Sequence, residues 1–600
     1  MTSTVEAPSP SSVRPPPTGG PLVRAAGRLR RIQARTVAII LVTLVLIYLV
    51  LGPVVMLLTT TFQRTEGNLP FSADAEWTLD NYIQVLTDPG TYTILWNTFI
   101  FAGGSLAVSF ALSITFAWLV ERTDLPGRNV LFVVIIASLG LPNVIAGIAY
   151  ALLLNPSNGL VNIALRGLPF VDSEGRGPLN GYTLIGMIFV QGITLVPVTY
   201  LLVAAAFRAM NASLEEAGAT SGAPYRTVMR RISLPLLTPA LLAALIYQFV
   251  SVIESFDIPV VLGLRGGIPV LSTKVFIEAQ PPGGLPNYGI GGTYAILLLV
   301  VAIAPLVLYN RLISRSDRFA TITGQNYQLR RMRLGVWKIP AVLLSLFFVM
   351  AAFVLPALVM IWTSIQPFYA VPSAESFSRI TFSAYGDLLT DPRIHQALWN
   401  TLQVGLAASL GAMIIGLLVS WILVRTRSRM RYTMDVLAFT PHAMPGVLIG
   451  LSILLIYLVL PLPIYGTVWI IAIALGTQYI SISTRLMTAG IAQVKNELEE
   501  AGAMSGAAWW AVIRRIVLPL VLPAFLNGFL LVFLLSIKNL TLALILFTPD
   551  TEVISTMVFN FWDLQADTQS TAVLGTLMVA ITLTLAIIIR QLDRAGSQLK

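Results

Sequence analysis

"LEEAGATSGAPYRTVMRRISLP" occupies residues 214–235, and "LEEAGAMSGAAWWAVIRRIVLP" occupies residues 498–519. Fifteen of the 22 aligned positions are identical, each displaced by 284 residues. A charged, glycine-containing stretch written twice marks an internal duplication. What surrounds each copy decides the architecture.

The surroundings are apolar. Of 600 residues 56% are hydrophobic and only 11% charged, with a mean hydropathy of +0.80. No soluble chain hides that much apolar surface, so the bilayer acts as its solvent. Apolar runs of roughly 20 residues fall near 36–60, 95–120, 129–154, 182–207, 237–262 and 293–312, and again near 338–364, 399–424, 434–460, 465–490, 520–547 and 571–590. They predict twelve membrane helices, six on each side of a basic connector at about 313–337. The first run is too long for a signal-peptide core and lacks a small-residue cleavage site. Residues 1–35, rich in Pro, Ser and Arg, read as a disordered basic tail. The expected organisation is that tail, a first half over 36–318, a cytoplasmic linker over 319–337 and a second half over 338–600.

The duplication reaches beyond the opening segment. "YIQVLTDPGTYTILWNT" (82–98) resembles "YGDLLTDPRIHQALWNT" (385–401), and "LPNVIAGIA" (141–149) aligns with "MPGVLIGLS" (444–452), both at an offset of 303. The change to 284 leaves about 19 extra residues in the first half, near 155–180. Both halves run in the same direction, so a two-fold axis along the membrane normal relates them. The predicted fold is an all-α integral membrane protein of two parallel-related six-helix halves.

The net charge is +10, and its distribution gives the orientation. With both termini in the cytoplasm, 30 of the 38 basic residues lie inside, seven lie outside and Lys538 falls within a helix. A nucleic-acid surface needs that charge gathered on one soluble domain, and the chain offers none. Cysteine is absent and histidine occurs only at 395 and 442, which argues against disulfides, thiolate chemistry and a transition-metal centre. His442, in "TPHAMPG", reads as a structural or pore-lining residue where prolines and glycine interrupt a helix. Outer carboxylates (Glu66, Asp74, Glu76, Asp80, Asp550, Glu552, Asp563, Asp567) reflect the same topology rule more than a docking surface.

Each copy of the opening segment lies between the fourth and fifth helices of its half. Its glutamates suit a helical first turn, Gly222 permits a tight turn, and Leu234-Pro235 opens the next membrane helix. On these residues alone two readings stand: a polar loop whose arginines fix topology, and a helix–turn–helix that docks a partner.

Glu216-Ala217-Gly218, Gly222, Ile232 and Leu234-Pro235 resemble the EAA loop of ABC-importer permeases, and Glu500-Ala501-Gly502, Gly506, Ile516 and Leu518-Pro519 repeat it with the same gaps. Glycine replaces the usual third-position alanine in both copies. The resemblance covers nearly all of the chain after residue 36 and implies the type I importer permease fold. It also implies coupling helices, built with Glu215, Arg230, Arg231, Glu499, Arg514 and Arg515, that sit in the grooves of a homodimeric cytoplasmic ABC ATPase. Pro224-Tyr225-Arg226 against Ala508-Trp509-Trp510 implies two sockets of unequal grip. A phosphate-binding loop needs Gly-Lys followed by Ser or Thr. None of the five lysines (274, 338, 495, 538, 600) follows glycine, so ATP and Mg belong on the partner. The chain itself reads as a transport subunit without a cofactor, not as an enzyme.

Ionisable residues within the membrane are costly and therefore functional candidates. Glu254 and Asp257 lie in the fifth helix, and the offset of 284 carries Glu254 onto Lys538 in the eleventh. Seventeen residues beyond 237, Glu254 is expected about 25 Å along its helix, in the outer part of the membrane. By resemblance the fifth helices line the translocation path, so these three residues are expected to flank it, with Glu254 and Lys538 pairing across it.

The stretches 256–276 and 539–559 resemble those of iron(III)-type permeases. The expectation is a fused permease of the bacterial inner membrane, with iron(III) delivered by an extracytoplasmic binding protein. Polyamines, thiamine, phosphonates and sulfate-like anions are the alternative cargoes in that branch. The different-class alternative is a secondary transporter, which would need midplane ion sites and no paired docking loops.

Overall fold

The computed structural model describes residues 34–65, 68–72, 75–169, 175–210, 217–218, 220–313, 332–426, 430–507 and 509–598. Among these the elements are helical and no strand occurs. A bilayer offers the backbone no hydrogen-bond partner, so each span closes its own ladder. Ten helices are long and apolar enough to cross, and two bent pairs bring the number to twelve. In the first half these are α1 (Ile39–Thr60), α2 (Pro89–Arg122), α3 (the pair Arg128–Ser138 and Asn143–Leu153), α4 (Leu184–Arg208), α5 (Met229–Ile253) and α6 (Tyr288–Pro305). The second half repeats them as α7 (Gly335–Ser364), α8 (Pro392–Arg425), α9 (the pair Met430–Ala443 and Gly446–Val459), α10 (Val468–Ala492), α11 (Ile513–Ile537) and α12 (Thr568–Ile589). Nearly all of the expected tail and residues 314–331 of the linker lie outside the described residues.

The duplicated phrases acquire physical roles. In each Thr-Asp-Pro the aspartate caps a helix: Asp88 accepts from Gly90 N and Asp391 from Arg393 N, both at 2.8 Å. The proline follows at the first helical position, where no N–H is needed. In each Leu-Trp-Asn-Thr the threonine anchors a later element. Thr98 accepts from Leu271 N and Thr401 from Ile554 N, both at 2.9 Å. These bonds seat two short outer helices, Leu271–Ala279 and Ile554–Asp563, which hydropathy does not announce.

Four of the expected spans are not continuous, and this corrects the simple twelve-rod picture. α3 and α9 bend by 106° and 105°. Pro142 and Pro445 sit at the breaks in extended conformation (ψ 139° and 137°), where a ring without an N–H cannot continue the ladder. The outer arm of each bent pair packs closely. A Cβ on Gly147 would meet Val261 at 3.3 Å, and one on Gly450 would meet Ile545 at 3.3 Å and its Cδ1 at 3.1 Å. The runs expected as helices over 237–262 and 520–547 break at 254–256 and 538–540, and short helical turns (Pro259–Gly263 and Thr541–Leu546) follow. Side chains satisfy each break: Ser272 donates to Ser255 O at 2.7 Å and Ser555 to Asn539 O at 3.0 Å.

The halves are intertwined rather than juxtaposed. α7 packs on the outer arm of α3 and α1 on the outer arm of α9. Tyr150 Oη donates to Ala351 O at 2.7 Å, and Tyr48 Oη donates to Tyr457 Oη at 2.9 Å. One large buried cluster runs through both halves, while a second gathers Val42 and Leu46 of α1 with residues of α8 to α11. Each half thus covers its neighbour's core with its own first helix. The insertion near 155–180 contributes the short helix Leu160–Arg166, held by buried Asn162, which donates to Asn155 O and Leu179 O at 2.8 Å.

Candidate coupling segments and central polar cavity

The second copy of the duplicated segment forms the helix Asn496–Met504 and ends at Gly506, whose φ of +79° is left-handed. Ala507 N donates to Gly502 O at 3.1 Å, closing the turn as glycine-terminated helices do. In the first copy Ala217 and Gly218 are helical, Gly222 has φ +78°, and Ala223 N donates to Gly218 O at 3.2 Å. Glu215 and Glu216 lie outside the described residues. A Cβ on Gly218 would sit 3.0 Å from Val228 and Ile232, and one on Gly502 would sit 2.7 Å from Ile516. The glycine that departs from the motif therefore lets the two arms of each segment touch.

Beyond the turn, Met229–Ser233 and Ile513–Val517 are π-helical, with Leu234 N bonded to Met229 O and Leu518 N to Ile513 O. The prolines that follow, Pro235 and Pro519, have no N–H for the carbonyl four residues back, and the ladder widens just ahead of them. Arg230, Arg231, Arg514 and Arg515 are exposed on these turns, as are Glu500, Ala501 and Gly506, while Glu499 is half-buried.

Two residues escaped the sequence reading. Arg122 and Arg425, 303 apart and the last residues of α2 and α8, cap the ends of α4 and α10. Arg122 Nη2 donates to Phe207 O at 2.8 Å, and Arg425 Nη2 to Ile491 O at 3.4 Å and Val494 O at 2.6 Å. Arg425 Nε also donates to Glu499 Oε1 at 2.7 Å. In sequence both arginines look like ordinary topology determinants; only the shared offset of 303 marks them.

The connector is tied to the first half at the same side. Thr123 bridges Met332, Leu334 N donates to Asp124 Oδ1 at 2.9 Å, and Lys338 Nζ lies 3.0 Å from Asp124 Oδ2. The Leu334 amide first, and the Lys338 ammonium second, hold the Asp124 carboxyl below its ordinary range.

At the far ends of α5 and α11 the broken helices enclose a polar cavity of about 280 Å³. The first half contributes Asn143, Gln191, Gln248, Glu254 and Asp257, and the second contributes Gly446, Gln478, Asn539 and Thr541. Thr541 donates to Asp257 Oδ1 at 3.2 Å, and Asn143 lines the cavity beside them. Ser255 donates to Gln191 Oε1 at 2.8 Å, and Asn539 to Gln478 Oε1 at 3.2 Å. In the short helical turns that follow the breaks, Val260, Val261, Leu262, Leu544, Ile545 and Leu546 are buried.

The expected Glu254–Lys538 pair is not formed. Lys538 Nζ donates to Leu139 O at 3.0 Å, at the carbonyl end of the inner arm of α3. Glu254 lines the same cavity as Gly446, the first residue of the outer arm of α9. The carbonyl end of a helix is the complementary place for the Lys538 ammonium. His442 stacks on Tyr247 at 4.9 Å, and Tyr247 lines the cavity. Of the outer carboxylates, Asp80 and Glu76 pair with Arg64, Glu552 with Arg393 and Asp563 with Arg265, while Glu66 and Asp74 lie outside the described residues.

Residues 109–318 and 408–595 each match the family described as binding-protein-dependent transport system inner membrane component. A putative ferric transport system permease protein, FbpB 1, of Haemophilus influenzae is 23% identical over 481 residues, 78% of this chain and 73% of that protein. A ferric transport system permease protein, FbpB, of Actinobacillus pleuropneumoniae is 23% identical over 533 residues, 87% and 73% of the two chains. A trehalose/maltose transport system permease, MalF, of Thermococcus litoralis is 29% identical over 271 residues, which is 45% of this chain and 89% of that one. Two matched regions, up to twelve membrane segments among the described residues and a doubled EAA-like motif agree: the chain belongs to the binding-protein-dependent transport system inner membrane components, as a multi-pass permease that carries the family's unit twice in the fused form of a type I ABC importer.

Proposed function

We propose that this chain is the complete membrane pathway of an ATP-driven importer of iron(III). A homodimeric ABC ATPase, holding ATP and Mg, docks on the two duplicated segments from the cytoplasm. A binding protein delivers the ion from the opposite side, and both termini face the cytoplasm. Closure of the ATPase dimer draws the segments together, and the intertwined first helices carry that motion to the broken helices around the cavity.

The sign of the cavity carries the cargo reading. Glu254 and Asp257 face it with hard oxygen donors, while the nearby Lys538 ammonium is engaged by the Leu139 carbonyl. Hard oxygen ligands suit a small, highly charged cation, whereas a sulfate-like or phosphonate anion would meet like charge. The ferric-transport descriptions of two relatives that span most of this chain point the same way.

The test is uptake of radioactive iron(III) into vesicles holding this chain, its ATPase and its binding protein. Uptake should require ATP and the binding protein, and excess gallium(III) should suppress it. Competition by spermidine, thiamine, a phosphonate or sulfate, with none by gallium(III), would replace the cargo. Gradient-driven uptake by this chain alone would replace the transporter class.

A further inference from the structure

The segment that docks a partner must also be held by its own half, and one side chain joins the three helix ends that meet there. Arg425 closes α8, and its side chain is only 10% exposed. Its Nη2 donates to the carbonyls of Ile491 and Val494, at the end of α10, and its Nε to Glu499 in the first turn of the helix Asn496–Met504. Carbonyls at a helix end lack intrahelical donors, and a carboxylate suits a helix start, so one guanidinium satisfies both ends with charge-assisted bonds. A lysine, with a single point of charge, cannot span that set.

The first half repeats one bond of the device. Arg122, 303 residues before Arg425, donates to Phe207 O, and Phe207 lies 284 residues before Ile491. The same bond recurs at positions related by both offsets of the duplication. On the short helix the faces separate by helical spacing: Glu499 and Gly502 turn toward the protein, while Glu500, Ala501 and Met504 are exposed, Met504 to 89%.

Resting on the importer reading above, we infer that Arg425 is a positioning residue that locks the second coupling segment to α8 and α10, while Arg122 joins α2 to α4 at the corresponding place in the first half. Glu499 belongs to this brace and not to the docking face. The adjacent glutamates of the motif divide the labour: Glu499 holds the segment to the permease, and Glu500 meets the partner. A push on the segment then reaches α8 and α10 together instead of flexing a loop.

The experiment measures ATP hydrolysis, uptake and ATPase retention on the same reconstituted complex. Arg425→Gln and Glu499→Gln should retain the ATPase subunit and keep hydrolysing ATP, while uptake per ATP falls by about tenfold, the scale of ordinary inter-site coupling. Arg122→Gln should do the same, and Arg425→Lys should restore only part of the loss. Glu500→Gln should instead weaken ATPase retention. An unchanged uptake-to-ATP ratio in Glu499→Gln would overturn the brace, and so would loss of the ATPase subunit in that variant. If Arg425→Gln fails to fold, Glu499→Gln decides, because it leaves the two carbonyl bonds of Arg425 in place. A wild-type complex without ATP-driven uptake would defeat the importer reading alone. The brace is then judged by hydrogen exchange over 496–504, faster in Glu499→Gln if it stands and unchanged if it does not.

Discussion

Thr541 donates a hydrogen bond of 3.2 Å to Asp257, and the two residues stand 284 positions apart, the offset that relates the halves. A bond between repeat-equivalent positions places both at the pseudo-two-fold axis. Duplication made the positions equivalent, and divergence then made one an acceptor and the other a donor. A symmetric pair of aspartates on the axis would repel; threonine instead offers a hydroxyl that donates to the aspartate.

Asp257→Asn should therefore reduce uptake more than Thr541→Val. The first removes the acidic group from the cavity, and the second removes one hydrogen bond to it, worth about 1 kcal/mol. Transport rates in vesicles at matched protein levels check this ordering, and equal losses would contradict it.

Glu254→Gln and Lys538→Met should each impair uptake, with effects that add in the double variant. The Lys538 ammonium is bonded to Leu139 O and forms no ion pair with Glu254. A double-mutant cycle reads this directly: strong coupling energy would show that the two pair in another state of the transport cycle. A charge swap is expected to restore nothing.

Gly222→Val and Gly506→Val should each weaken coupling to the ATPase. Both glycines hold left-handed backbone with φ near +78°, costing a branched residue roughly 1–2 kcal/mol. The equal backbone makes the comparison informative. A difference between the two variants in ATPase stimulation reports the side chains that flank the turns, which differ between copies at 224–226 and 508–510.

Gly450→Leu should lower the melting temperature of the purified permease, because the outer arm of α9 has no room opposite Ile545. Overpacking of this kind costs about 1–3 kcal/mol, and Gly450→Ala should cost less.

The junction between linker and first half should be insensitive to pH across the neutral range. Asp124 has a lowered carboxyl pKa, so its contribution is present above the unfolded value near 4 and disappears as pH falls through the lower folded value. Protection of the amides over 332–338, taken relative to their intrinsic exchange rate at each pH, should stay constant from pH 8 to about 5 and fall below about 4. Asp124→Asn should exchange fast throughout.

Much of this molecule is legible from its residues. Apolar length is a local property, so twelve membrane segments follow from hydropathy, and matching phrases at two offsets disclose the doubled unit. The coupling segments stand out because a charged, glycine-bearing stretch is expensive to place beside a membrane unless it has a task. Thr-Asp-Pro shows in the sequence only as a repeated phrase, and the structure makes its aspartate a helix cap.

Other features exist only between distant parts of the chain. Hydropathy along 237–262 does not record that Ser255 finds Gln191, and without that partner nothing in the run predicts a break at 254–256. Lys538 and Glu254 look like an ion pair in the alignment of the halves, yet Lys538 is satisfied by a helix end that another segment delivers. Arg425 reads as one more basic residue at a cytoplasmic helix end until α10 and Glu499 arrive beside it. Composition and repetition act residue by residue and so are written in the chain. The pairing of a charge with its partner depends on which helix ends meet, and that is settled when the two halves pack around one axis.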